Sequence, residues 1–251
     1  MRAARSALEQ EPPPLEVLVC DDGSTDGTQA AFEDWEAREP RLRYVRVEPN
    51  RGTPGPVRNI GAAKARGDWV ALLDDDDRWL PGKLAAQAPF MAGEAYDVVA
   101  GDALRSNGTP YFGFGGGSRF PNRAEVERDN PIIISSSVVR RSALLGVGGF
   151  DETPALAGLA DYDLWLRLAD AGARFAIVDQ PVIEYEDAGL GRMSMQVLPM
   201  QRQRLRVRLR RWIRSPRERQ LLVSFLREIY FTLALTVRLA SLRVRRGASV
   251  G

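Results

Sequence analysis

Trp69-Val70-Ala71-Leu72-Leu73-Asp74-Asp75-Asp76-Asp77, with Trp79-Leu80-Pro81 close behind, is an apolar run that ends in four consecutive carboxylates. Its length and its bounding turn suit a buried strand. Adjacent like charges repel by about 1 kcal/mol in water and by several times that at a protein-like dielectric, so a compensating cation is expected. A strand that delivers carboxylates to its C-terminal edge places them where open α/β sheets bind ligands. Mg²⁺ typically takes one or two carboxylates together with substrate phosphates, which makes a divalent cation carrying a phosphorylated ligand the chemistry that fits. The competing reading is a solvated acidic turn.

The flanking sequence sets this strand among others. Residues 2 to 10 read as a helix broken by Pro12-Pro13-Pro14, and Leu15 to Cys20 reads as a strand bounded by Asp21-Asp22-Gly23. Thr28 to Glu39 has helical spacing through Ala31, Phe32 and Trp35, and Leu42 to Val47 is the next strand. Asn50 to Pro56 is a Gly/Pro loop leading into a helix from about Val57 to Ala65, which Gly67 ends. A helix opens near Pro81. Strand, helix, strand, helix, strand at this spacing predicts parallel βαβ units. Farther on, Asp97 to Ala100, Ile132 to Val139 and Phe175 to Val178 read as strands. Leu159 to Ala171 is an amphipathic helix closed by Gly172, and Ser106 to Ser118 is a glycine-rich loop.

Composition narrows the chemistry. The 251 residues, 44% of them hydrophobic, are enough for one large α/β domain or two small ones. There is no histidine, which removes Ser-His-Asp and Cys-His catalysis, histidine zinc sites and the commonest general base, so carboxylates must carry acid–base work. The single cysteine, Cys20, permits no disulfide framework. With no apolar leader after Met1, a cytoplasmic location is expected. From position 200 onward fourteen arginines face only Glu218 and Glu228, a charge of +12; against +2 for the whole chain, the preceding residues carry −10. An acidic body bears a basic tail.

A second carboxylate cluster lies in Asp21-Asp22-Gly23-Ser24-Thr25-Asp26-Gly27-Thr28, on a strand-to-helix turn. Such a turn can accept hydrogen bonds from a base or ribose, while the following helix offers free N–H groups. A capping turn explains Ser24 and Asp26 but not Asp21 and Asp22 together.

Taken in order, the Asp21–Thr28 octapeptide, Asn50-Arg51-Gly52 with Arg58-Asn59-Ile60-Gly61, Ala65-Arg66-Gly67-Asp68 and Leu73-Asp74-Asp75-Asp76-Asp77 resemble glycosyltransferase family 2. Val147-Gly148-Gly149-Phe150-Asp151 and Asp161-Tyr162-Asp163-Leu164-Trp165-Leu166-Arg167-Leu168 match the later blocks of its pattern. The resemblance runs from about residue 2 to 190. It implies a GT-A-like α/β fold, Rossmann-like, with a mostly parallel sheet flanked by helices. Residues 1–100 would form the nucleotide-sugar half, 101–190 the acceptor half, and 191–251 a basic helical extension.

The resemblance also implies an inverting, metal-dependent transfer of a sugar from a nucleotide diphosphate, most simply a UDP-sugar, to a hydroxyl of a saccharide or lipid-linked acceptor, in cell-surface polysaccharide or glycolipid synthesis. Asp21 or Asp22 would contact base and ribose, Arg58 the nucleotide or its diphosphate, and Asp74 and Asp75 the donor. Asp74 and Asp76 fit the Asp-x-Asp motif for Mn²⁺ or Mg²⁺, with Asp76 as direct ligand and Asp77 in support. Asp161 would be the general base. Asp163 is expected to cap or to pair with an arginine, and Trp165 to lie in the core.

Three departures stand out. Ala160 occupies the place of the family's usual glutamate. No histidine follows the last strand, where this chain has Asp187, Arg192 and Ser194; Arg192 would contact the diphosphate. The family's first, central strand falls before Met1, so its neighbours' edges are expected to be exposed. These departures leave a non-catalytic nucleotide-sugar-binding protein, or an inactive fragment, as the alternative function. The basic tail reads either as an interfacial helix at an anionic membrane or as a helix pair packed on the acidic body. Nucleic acid is not an expected partner, since basic charge without a recognised motif is a weak signal.

Overall fold

The computed structural model describes residues 1–113, 115–185, 197–214, 222–223, 225–230 and 232. The apolar runs of the first half become strands β1 (Val17–Asp21), β2 (Leu42–Arg46) and β3 (Trp69–Ala71), separated by helices α2 (Thr28–Glu36) and α3 (Pro54–Lys64). Helix α1 (Arg2–Leu8) precedes them. Its Ala4 and Leu8 pack with Phe32 of α2 and Leu42 of β2 in one apolar cluster, which explains the small residues on its inner face.

Past the acidic turn come β4 (Arg78–Trp79), α4 (Lys83–Met91), β5 (Val98–Arg105), α5 (Arg123–Asp129), β6 (Val138–Arg140), α6 (Arg141–Gly146), α7 (Ala160–Asp170) and β7 (Phe175–Tyr185). Strands β3, β6, β5, β7 and β4 lie side by side in that order. In β5, Val98, Val99, Ala100 and Ala103 are fully buried, as expected of an apolar run covered on both faces. Gly101 allows the close approach of β7, because a Cβ there would stand 2.7 Å from a Val182 methyl.

The expected α/β architecture of strands flanked by helices is present, with strand directions mixed: β1–β2 and β5–β7 run parallel, while the shorter β3–β6, β5–β6 and β4–β7 ladders run antiparallel. Parallel neighbours need a long crossover, which α2 supplies between β1 and β2. The strand expected over Ile132 to Val139 starts only at Val138. Ile134–Ser136 is a 3-10 turn, held by the Ser136 and Ser137 hydroxyls, which donate to Ile133 O at 2.8 Å and Ile134 O at 2.7 Å. Hydroxyl-to-backbone bonds of this kind compete with strand pairing.

Strand β1 is paired only with β2, and β3 only with β6, so among the described residues the strands form two sheets. Residues Val17–Cys20 and Trp69–Ala71 are accordingly half-buried.

Met1–Glu152 with Ala160–Gly189 form one compact unit, and Thr153–Leu159 with Leu190–Gly251 another. In the second, α8 (Val197–Arg214) packs on the 3-10 stretch Pro154–Leu159 and buries Val207. The alternating arginines are therefore helical. A further helical stretch at residues 222–223 and 225–230 runs antiparallel to α8. Its Glu228 pairs with Arg204 (3.6 Å) and Arg208 (3.0 Å), and Phe225 stacks on Trp212. Among the described residues no helix is long and apolar enough to cross a membrane.

Candidate active site

The turn that follows β3 gives its four aspartates different surroundings. Asp77 N–H donates to Asp74 O at 3.2 Å and closes the turn. Asp75 and Asp76 are exposed, Asp74 is half-buried and Asp77 is buried. Carboxylate oxygens of Asp74, Asp76 and Asp77 all lie within 4.8 Å of one another, while Asp75 stands outside that group. Three hard oxygen donors at this separation suit Mn²⁺ or Mg²⁺ and are a poor match for softer metals.

Ser135 organises the turn from beneath. Its hydroxyl accepts from Asp74 N–H at 3.1 Å and donates to Asp77 Oδ2 at 2.6 Å, while its carbonyl accepts from Trp79 Nε1 at 3.0 Å. Helix α1 supports the other side: Ser6 Oγ accepts from Trp79 N–H at 3.1 Å, and Arg2 donates to Asp76 O at 2.7 Å. A buried polar layer lies behind. Lys83 is fully buried over the Trp79 ring and donates to Gln87 Oε1 at 2.6 Å, and burial pushes its amine down to about 7.

Helix α3 brings the first cation. Arg58 forms an ion pair with Asp74 and lies over the Phe150 ring, 5.4 Å from its centroid. The next residue fixes that ring: Asn59 accepts from Phe150 N–H at 2.7 Å and donates to Phe150 O and Glu152 Oε1, each at 2.9 Å. A Cβ at Gly149, whose φ is +69°, would fall 2.3 Å from Asn59 Oδ1, and one at Gly55 would fall 3.0 Å from Asp151 O. Gly149 and Gly55 thus permit the close approach of α3 and the 149–152 segment, which joins two blocks about ninety residues apart.

Asp161 stands in the first turn of α7, with Tyr162 N–H donating to its Oδ1 at 2.8 Å. Its pKa is raised, first by burial among protein atoms and further by the negative charge of Asp74, while the Tyr162 N–H and Arg58 pull the other way. Arg58, Asp74 and Asp161 are therefore electrostatic neighbours. A raised carboxylate is suited to taking a proton from a hydroxyl. Asp163 is buried and paired with Arg167 Nε at 2.7 Å, and Trp165 is fully buried in the core, as expected. Ala160 is buried at the start of the helix, with no polar group to offer.

Asp21 and Asp22 both hold loops. Asp21 accepts from Ser24 N–H at 3.0 Å, Tyr44 OH at 2.5 Å and Arg46 at 3.4 Å, and its pKa is lowered because these donors outweigh the opposing cost of its burial. Asp22 accepts from the backbone N–H groups of Arg51 (2.7 Å) and Gly52 (2.9 Å). It thereby anchors the loop from which α3 and Arg58 emerge. Asp187, Arg192 and Ser194 lie outside the described residues.

The sequence did not mark Ser135, which sits in an undistinguished Ser135-Ser136-Ser137 run, and its partners are 61 and 58 residues away. Nor did it mark Tyr44 as a partner of Asp21. Asn59 lay inside a recognised block, but its role as a clamp needs the contact with Phe150 to be seen.

A family model described as glycosyl transferase family 2 matches residues 2–144. The putative teichuronic acid biosynthesis glycosyltransferase TuaG of Bacillus subtilis is 36% identical over 107 residues, 42% of each chain. Succinoglycan biosynthesis protein ExoU of Rhizobium meliloti is 32% identical over 196 residues, 70% of this chain and 55% of that protein. The chain thus spans about half or less of these curated relatives. Among solved structures, S. aureus TarS 1-349 superposes with a TM-score of 0.67 at 21% identity, covering 90% of this chain and 66% of that one. The mannosyltransferase PcManGT from Pyrobaculum calidifontis, in complex with GDP-Man and Mn²⁺, gives 0.61 at 19% identity, covering 98% and 76%. At these identities the likeness concerns the fold alone, which is GT-A.

Proposed function

Because the chain belongs to glycosyl transferase family 2, we propose that it transfers a sugar from a nucleotide diphosphate to an acceptor hydroxyl, with inversion at the anomeric carbon. The observation that carries this reading is the position of Arg58, which neighbours both the Asp74 end of the acidic cluster and the raised carboxyl of Asp161.

Asp161 takes the acceptor's hydroxyl proton onto its carboxylate as the oxygen attacks the anomeric carbon, and the bond to the diphosphate breaks on the opposite face. Arg58 leaves Asp74 for the diphosphate and helps to hold the leaving charge. Asp76 and Asp74, with Asp77 oriented by Ser135, would hold Mn²⁺ or Mg²⁺, which when bound would supply charge neutralisation for the departing nucleoside diphosphate. Asp75, exposed beside them, meets the donor. Asp22 sets the loop before α3, and with Asp21 it faces the nucleoside. Residues 1–100 serve the donor and 101–190 the acceptor.

The donor is a UDP-sugar. TarS has been solved in complex with UDP-GlcNAc, which supports that choice, while PcManGT in complex with GDP-Man makes a GDP-sugar the comparison to run. The acceptor is a saccharide or a lipid-linked saccharide of cell-surface polymer synthesis. Relatives named for teichuronic acid and succinoglycan biosynthesis support this, as does a Campylobacter jejuni relative named GalNAc(5)-diNAcBac-PP-undecaprenol beta-1,3-glucosyltransferase. The enzyme works in the cytoplasm, at the inner face of the membrane, with its basic tail toward the lipid.

The test incubates the purified protein with Mn²⁺ and a panel of nucleotide sugars, measuring binding and donor hydrolysis. Metal-dependent binding of one UDP-sugar with slow hydrolysis is expected. Binding that is indifferent to both Mn²⁺ and Asp76→Ala would contradict the reading.

A further inference from the structure

Gln87, on α4, is fully buried and spends its whole side chain on three hydrogen bonds. Its Nε2 donates to Ser136 O at 2.9 Å and to Val99 O at 3.3 Å, and its Oε1 accepts from Lys83 Nζ at 2.6 Å. Carbonyls can only accept, so one orientation of the amide satisfies every partner. Lys83 holds it from the other end and is itself fully buried, its amine 4.5 Å from the centroid of the Trp79 ring. Buried polar groups are costly unless fully hydrogen-bonded, and when satisfied they fix a single local arrangement.

What this network fixes is the 3-10 turn Ile134–Ser136. Trp79 Nε1 donates to Ser135 O at 3.0 Å, and Gln87 donates to Ser136 O, so two successive carbonyls of the turn are tied to the segment 79–87. Between the two ties stands the Ser135 hydroxyl, bonded to Asp77 Oδ2 at 2.6 Å and to Asp74 N–H at 3.1 Å. Ser135, Ser136 and Asp77 are all buried, so water does not stand in for a lost partner there. A 3-10 turn this short has weak hydrogen bonds of its own, and its position is set by what grips it.

We propose that Gln87 and Trp79 are positioning residues for the cation: by gripping the carbonyls of Ser136 and Ser135 they fix the Ser135 hydroxyl, and through it the Asp77 and Asp74 carboxylates, at the separation that Mn²⁺ or Mg²⁺ needs. The proposal rests on the reading of Asp74, Asp76 and Asp77 as the metal site. Neither side chain is a ligand. The path runs from Gln87 through Ser136 to Ser135 and Asp77, and from Trp79 directly through Ser135.

The test measures Mn²⁺ affinity by electron paramagnetic resonance of the free ion, with no turnover, beside circular dichroism and urea midpoints of the same samples. Gln87→Glu keeps an acceptor for Lys83 but has no N–H for Ser136 O, and Trp79→Phe keeps the ring under Lys83 but has no N–H for Ser135 O. Each should lower Mn²⁺ affinity by about tenfold with an unchanged far-ultraviolet spectrum, the low end of what loss of a ligand's outer support costs. Asn122→Ala, which removes the capping box of α5, should lower stability and leave Mn²⁺ affinity unchanged. In a Ser135→Ala background the effect of Gln87→Glu should shrink, because the hydroxyl through which it acts is gone. Wild-type Mn²⁺ affinity in both variants would overturn the proposal and leave the metal site standing. So would an equal loss in Asn122→Ala, or full additivity with Ser135→Ala. A wild-type chain that binds no Mn²⁺ would contradict the metal reading itself, and the proposal with it.

Discussion

The Arg58 guanidinium on α3 is paired with the Asp74 carboxylate at the end of β3. A helix whose starting loop is anchored by Asp22 thereby reaches the acidic turn, and the repulsion within the aspartate run is partly relieved by a cation from the chain itself. Any metal that engages Asp74 competes with this pair.

Arg58→Ala therefore has opposite effects on two ligands. Mn²⁺ affinity rises, because the competing positive charge is gone, while UDP-sugar affinity falls. The half-buried pair contributes about 1 kcal/mol to stability, lost in the variant. Isothermal titration with Mn²⁺ and with UDP, combined with urea unfolding, measures all three. A parallel loss of both affinities would show that Arg58 does not oppose the metal.

Ser135→Ala removes the hydroxyl that orients Asp77 and accepts the Asp74 N–H. Losing these two hydrogen bonds costs about 1–3 kcal/mol of stability. Loosening a ligand's support lowers metal affinity by about 10–100-fold. Electron paramagnetic resonance of free Mn²⁺ reads the second effect directly, without any turnover.

Lys83 is a buried amine whose pKa is pushed down to about 7 from 10.5. Between those values the unfolded chain binds more protons than the folded one, so stability rises with pH across the window, by at most about 1.4 kcal/mol per pH unit. Below about 7 the full penalty of the buried charge is present. Lys83→Met should flatten the profile and stabilise the protein most at pH 6 and least at pH 10. Urea midpoints at those pH values measure it.

Much of this site was legible because its pieces are local. The apolar run before Asp74, the loop at Asn50 and the helix carrying Asp161 each declare themselves within a dozen residues, and the pairing of Asp163 with Arg167 follows from helical spacing. What stayed hidden depends on distant partners or on competing local bonds. Ser135 becomes informative only when β6 brings its turn beneath the aspartates. The expected strand there gave way to the hydroxyl-to-backbone bonds of Ser136 and Ser137. Helix α5 carries a local signal of the same kind, since Asn122 and Glu125 form a reciprocal capping box. Two-residue β4 is too short for any periodicity to reveal, and its pairing rests on the Arg78–Glu184 contact with β7.

The central claim is that Asp161 is the general base of a sugar transfer whose donor site lies around Asp74 and Arg58, and Asp161→Asn tests it most directly. Because the folded pKa is raised, the carboxylate costs stability as pH rises through it, so the amide variant should be slightly more stable at neutral pH. Metal-dependent UDP-sugar binding should be unchanged, while transfer to acceptor falls by about two to four orders of magnitude. The wild-type rate should decline at acid pH with a midpoint above the ordinary carboxylate value. Transfer by Asp161→Asn at the wild-type rate would contradict the account.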